Sequence, residues 1–117
     1  MRSLLVPVTL LPMLLAMGVS PAGAQGSANG PARQERLEQG RRVAETWCAN
    51  CHVIGPGAQG PAGDAAPPFQ AVARMPSTTE MSLRAFLQTP HDRMPDYRLS
   101  QAELDGTVAY ILSLRDR

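Results

Sequence analysis

The sequence predicts an all-α fold: three main helices, shorter helical turns, and long loops between them. Val and Ile are few beyond residue 32, and no apolar–polar alternation runs long enough for a sheet. Three segments instead repeat apolar residues at spacings of three and four, as one face of a helix requires. Two of them begin with Ser-x-x-Glu, and stretches rich in Gly and Pro separate them.

Residues 1–24 read as a secretory signal peptide. Met1 and Arg2 give a positive start, the run to Val19 is mostly apolar with Leu14 and Leu15 at its heart, and Ala22-Gly23-Ala24 is a small-x-small cleavage signature. Pro7, Pro12 and Gly18 interrupt the run, which leaves it short for a membrane span. The chain is therefore expected to be exported to the periplasm, with no stable membrane span after cleavage. Residues 25–32 are small and polar and form a flexible leader, and residues 33–117 form one domain without internal repeats.

The first helix is expected over residues 34–48, where Leu37, Gly40, Ala44 and Trp47 share a face. A short turn is expected near Phe69 to Arg74, because proline is tolerated at its start. The second main helix is expected over 78–89. Ser77 and Glu80 would form its capping box, Met81, Leu83, Phe86 and Leu87 would be its apolar residues, and Pro90 would end it. The third spans 101–114, with Ser100 and Glu103 as capping box, Leu99 and Leu104 as a staple, and Leu104, Val108, Ile111 and Leu112 as the buried stripe. Loops 53–68 and 90–99 are long enough to wrap a bound group. A domain this small also gains from such a group, because its own side chains build only a limited core.

All the cationic side chains are arginine, lysine is absent, and the formal net charge is +1. No basic run or basic–aromatic stripe suits nucleic acid. Near-neutrality also gives little long-range steering of a partner.

Cys48-Ala49-Asn50-Cys51-His52 is a C-x-x-C-H motif, the attachment signature of c-type haem. Two thiols at this spacing can add to the two vinyl groups of one porphyrin, and the next residue offers an imidazole to the iron. The motif implies one covalent haem c per chain. A dithiol redox motif would need a βαβ context, which is missing. A zinc site would need four spaced ligands, whereas Cys51 and His52 are adjacent. A disulfide closing so small a loop would stabilise little.

For the second axial position the mature chain offers Met75, Met81, Met94 and His91. Thioether ligation is usual in cytochromes c and raises the potential. Met81 falls on a helix and reads as core filler. Met75 must run straight into the next helix. Met94 sits in the extended loop that can cross the ring, and is the favoured ligand. His91, three residues earlier, would give a bis-His site of lower potential; its blander reading is a solvent-facing loop residue.

Three stretches resemble a class I cytochrome c, the small monohaem His/Met family. They are G-x-x-x-A before the attachment motif at residues 40–52, M-P-x-Y-x-L-S at 94–100, and V-A-Y-I-L-S-L at 108–114. The resemblance implies the cytochrome c fold, thioethers at Cys48 and Cys51, His52 as proximal ligand and Met94 as distal ligand. It implies that the Pro67 carbonyl accepts the other imidazole N–H, and that Gly40 lies where the first and last helices cross, with Tyr110 on the opposing helix. Two features depart from the family. Ala44 stands where an aromatic is frequent, so Trp47 is expected to fill that space. The lysine collar used for docking is absent, which leaves arginines such as Arg41, Arg42, Arg93 and Arg98, or an apolar surface.

With both axial positions filled, no site remains for substrate, and single-electron transfer through the exposed haem edge is the expected function. The primary expectation is a periplasmic carrier, not an enzyme, serving a redox protein donor and acceptor. The alternative is a dedicated haem subunit of a periplasmic dehydrogenase or oxidase complex, which an exposed apolar patch would distinguish. A third possibility, a ligand-binding sensor or enzyme, requires an open iron.

Overall fold

The computed structural model describes residues 30–58, 60, 66–91 and 93–117. The expected signal peptide and residues 25–29 of the expected leader lie outside the described residues. Helices α1 (Pro31–Val43), α2 (Phe69–Arg74), α3 (Glu80–Leu87) and α4 (Gln101–Ser113) follow one another, and α1 runs on into a wider π turn, Ala44–Cys48. The fold is all-α, with no strand among the described residues, and none of the described helices is long and apolar enough to cross a membrane.

Helix α1 begins at Pro31, earlier than periodicity alone suggests. Proline fits the first helical position, since its fixed φ suits the helix and its missing N–H would have had no partner there. Pro31 and Ala32, expected to end the leader, are thus the first turn of α1. Leu37, Gly40 and Val43 are buried along the helix, and α1 packs chiefly against α4. At the crossing, a β-carbon on Gly106 would lie 2.9 Å from the Gly40 amide nitrogen and 3.1 Å from the Arg36 carbonyl oxygen. One on Gly40 would collide with the Gly106 carbonyl. The residue facing Gly40 is therefore Gly106, a turn before Tyr110. Tyr110 is on the opposing helix as expected, but its hydroxyl lies against Gly55, where a β-carbon would sit 2.6 Å away.

Helix α4 is the hub, packed by α1, α2 and α3. Ser100 caps it: its hydroxyl accepts from the Glu103 amide, while the Glu103 carboxylate accepts from the Ser100 amide at 2.8 Å. Leu104, Val108, Ile111 and Leu114 are almost wholly buried, each burial stabilising by about 1.5–3 kcal/mol. Leu99 packs on the same cluster, as a staple would.

Helix α3 departs from expectation at its start. Its cap is Thr79, whose hydroxyl accepts from the Ser82 amide at 3.0 Å, while the Ser82 hydroxyl accepts from the Thr79 amide at 2.8 Å. Ser77 and Glu80 cannot form the expected box because Thr78 is buried and donates its hydroxyl to the Val72 carbonyl at 2.7 Å. That bond ties residue 78 to the end of α2, and α3 starts only after it. Glu80 instead pairs with Arg84, which also reaches Asp105 on α4 at 2.5 Å. Only Leu83 is buried on α3. Met81 is 80% exposed, which overturns its reading as core filler. Past α4, Arg115 donates to the carbonyls of Ala73 (2.9 Å) and Thr78 (2.8 Å), tying the chain's last turn to α2 and the segment before α3.

Gly106→Ala is expected to cost about 1–3 kcal/mol by forcing two backbones apart, read as a lowered unfolding midpoint of the haem-loaded protein. The hydrogen bonds from the Ser100 hydroxyl and amide hold the Glu103 carboxyl below its usual value. A depressed folded pKa contributes stability above the unfolded value, about 4.3, and loses it as pH falls through the folded value. The stability difference between wild type and Glu103→Gln should accordingly be full above about pH 4.3 and vanish on further acidification, as followed by denaturant melts across pH.

Candidate haem site

The site begins where α1 changes pitch. The Ala49 amide donates to the Ala44 carbonyl at 3.0 Å, five residues back, which widens the last turn. Such π turns recur at functional sites. Here it leaves Ala44 in the core while Cys48 lies on a cavity wall. Amides of Cys51 (3.1 Å) and His52 (2.9 Å) then both bond to the Cys48 carbonyl, so the C-x-x-C-H segment closes into one tight turn. The two cysteines are not joined to each other. Burial, and to a lesser degree the neighbouring Cys51, pushes the Cys48 thiol up to about 11. A dithiol redox centre starts from a thiolate at neutral pH, and Cys48 is ill-suited to be that thiol.

The His52 Nδ1 atom lies 2.7 Å from the Pro67 carbonyl oxygen. A carbonyl only accepts, so Nδ1 carries the proton and donates, which leaves Nε2 of the neutral ring with its lone pair free for a metal. The sequence explains why this carbonyl is available. Pro68 biases Pro67 toward an extended backbone, and α2 takes up the Pro68 carbonyl (Val72 amide, 3.0 Å) but not that of Pro67. The Phe69 amide donates to the Val53 carbonyl at 2.9 Å and closes the intervening loop, while the Phe69 ring sits 5.2 Å from that of His52.

Cys48, Cys51, His52, Pro67 and Met94 all line one cavity of about 640 Å³. Much of the remaining wall is apolar, with Val72, Leu83 and Phe86 among its residues. Trp47, expected to fill the space beside Ala44, is half exposed and packs on Tyr97 with ring centroids 5.2 Å apart; both line the cavity. Met75 and His91 line it too, whereas Met81 does not. His91 is not the solvent-facing residue expected of a loop after Pro90. Its ring lies against Phe86, and its Nε2 is buried with no hydrogen-bond partner among the described residues. Of the arginines considered for docking, Arg93 borders the cavity, and Arg41 forms an ion pair with Glu45 at 2.8 Å. Among the described residues no cluster of three His, Cys, Asp or Glu side chains could hold a bare metal ion.

Sequence reasoning passed over Val72, Thr78 and Gly106. Gly106 carried a signal, a glycine inside a strongly periodic helix. Val72 and Thr78 carried none, since their place on the wall follows from the tertiary arrangement.

The family model described as Cytochrome C oxidase, cbb3-type, subunit III matches residues 35–111. Cytochrome c-552 of Bradyrhizobium diazoefficiens is 38% identical over 98 residues, which cover 84% of this chain and 93% of that protein. No solved structure matches significantly. The match begins within α1 and ends within α4, enclosing the attachment motif and the whole cavity wall; the chain belongs to the family of cbb3-type cytochrome c oxidase subunit III.

Proposed function

We propose that this chain is an exported, monohaem electron-transfer protein whose haem c is joined to Cys48 and Cys51 and ligated by His52 and Met94. The observation that carries this reading is the bond from His52 Nδ1 to the Pro67 carbonyl beside the two thiols, on the wall of an apolar cavity. The residues present fit the group. A cavity of about 640 Å³ is within the range of roughly 300–1,000 Å³ usual for cofactor sites, and its donors are two thiols, a correctly protonated imidazole and a thioether. Haem c supplies a one-electron iron couple there.

Each residue then has a task. Cys48 and Cys51 hold the group covalently. Pro67 fixes the tautomer and orientation of His52 and makes it a better donor. Met94 would supply a thioether to the iron, which favours the reduced state. Leu83, Val72 and Phe86 keep water from the ring faces. As long as His52 and Met94 hold the iron in both oxidation states, little would rearrange when an electron arrives.

The family match supports the role of a dedicated haem subunit of an oxidase complex better than that of a freely diffusing carrier, because the matched description is that of an oxidase subunit. The carrier reading rests on Cytochrome c-552, 93% of whose length is matched. Surface apolarity does not separate the two. Met81 is exposed outside the cavity wall, but one side chain does not make a docking patch.

Ferric haem-loaded protein is expected to show the weak far-red absorption band of iron–thioether bonding, and Met94→Ala to abolish it. A band that survives the substitution would assign the ligand to another residue. In gently solubilised membranes the subunit role predicts that the chain co-elutes with an oxidase activity. Elution alone, with the far-red band intact, would return the carrier reading.

A further inference from the structure

We infer that His91 is a reserve distal ligand, positioned to take the iron when Met94 leaves it. This rests on the reading that a haem iron occupies the cavity between His52 and Met94. His91 and Met94 stand three residues apart on the wall of the same cavity. The Nε2 atom of His91 is buried and has no hydrogen-bond partner among the described residues. A buried nitrogen left in that state is costly; covered as it is beside the Phe86 ring, Nε2 does not face the open cavity, and the ring must turn off Phe86 before it can meet an iron there.

The segment carrying both residues can make the exchange. Pro90 and Pro95 flank it and have no amide hydrogen. No backbone hydrogen bond involves residues 90, 91, 93 or 94 among the described residues, so a shift of these residues breaks no ladder. In the exchange His91 must give up its contact with the Phe86 ring, itself about half exposed.

The chemistry sets the direction. Thioether ligation raises the potential, which means that it holds ferrous iron better than ferric. Imidazole is the harder donor and gains on the ferric ion. In the exchange the Met94 thioether would give up its bond to the iron and an imidazole lone pair of His91 would form the new one, with no electron transferred. Nitrogen competitors are few: the chain has no lysine, its only other histidine is His52, and arginine stays protonated. Met75 and Tyr97 also line the cavity and are the rivals a test must separate.

The test compares holoprotein variants Met94→Ala and Met94→Ala/His91→Ala by ferric spin state and by ferrous carbon monoxide affinity, with Met94→Leu run beside them to keep the loop packed. The single variants should stay low-spin without the far-red band. The double variant should become high-spin and bind carbon monoxide at least about tenfold more tightly, because an external ligand binds only the open fraction. Three results overturn the proposal: single and double variants equally high-spin with equal affinity; a far-red band that persists without Met94, which would mean Met75; or low-spin iron unchanged in the double variant, which would mean another donor. The Met94 reading is judged separately, by the far-red band of the wild type. Its absence there, with His91→Ala alone becoming high-spin, would make His91 the resident ligand and not a reserve.

Discussion

The backbone-to-backbone contact of Gly40 with Gly106 is the constraint on which the rest of the arrangement depends. Two helices can approach this closely only where neither carries a β-carbon, and the spacing at that point sets how α1 lies on α4. Everything functional hangs from those two helices. Cys48 follows Gly40 along the same helical rod, and α4 supplies the floor against which α2 and α3 pack. Each glycine carries an intrinsic helix penalty of up to about 1 kcal/mol relative to alanine. The buried side chains around the crossing, Leu37, Leu104 and Val108 among them, offset it.

From that frame the site is built with few parts. A prolyl carbonyl that no helix uses becomes the acceptor for His52, and one donor–acceptor rule then fixes which imidazole nitrogen is free. Both cysteines lie on the cavity wall, and burial raises the Cys48 thiol. The C-terminal side chain of Arg115 reaches the carbonyls at the end of α2 and before α3. The wall that carries Val72, Met75 and Thr78 is therefore held by the last residues of the chain as well as by its neighbours.

Much of the fold was legible because local chemistry decided it. Ser100 and Glu103 form the box that their spacing announces, and α2 starts where Pro67-Pro68 allows. The gathering of Cys48, Cys51, His52, Pro67 and Met94 on one cavity also agrees with the order of motifs along the chain. Other features depended on contacts that a one-dimensional pattern does not carry. Ser77 and Glu80 have the spacing of a capping box, but the buried hydroxyl of Thr78 claims that stretch for α2. Met81 has the periodicity of a core residue on a helix that buries only Leu83. His91 looks like a loop residue until the Phe86 ring is placed beside it. Gly106 was visible as an oddity, and its partner was not.

The π turn at Ala44–Cys48 has a consequence for how this sequence can vary. A π turn spends one more residue on a revolution than an α turn does. Removing any one residue between Gly40 and Cys48 would let the helix relax to ordinary pitch, where each residue advances the face by about 100°. The helix would become more regular and Cys48 would keep nearly the same face, because one residue fewer is matched by one residue fewer in the revolution. Substitutions on the exposed side of this stretch, such as Glu45 or Thr46, disturb neither count nor crossing. The interval between the crossing glycine and the first cysteine therefore has one residue of slack in one direction only: a single loss is absorbed by an ordinary α turn, whereas a further gain would turn Cys48 by about 100° off the cavity wall.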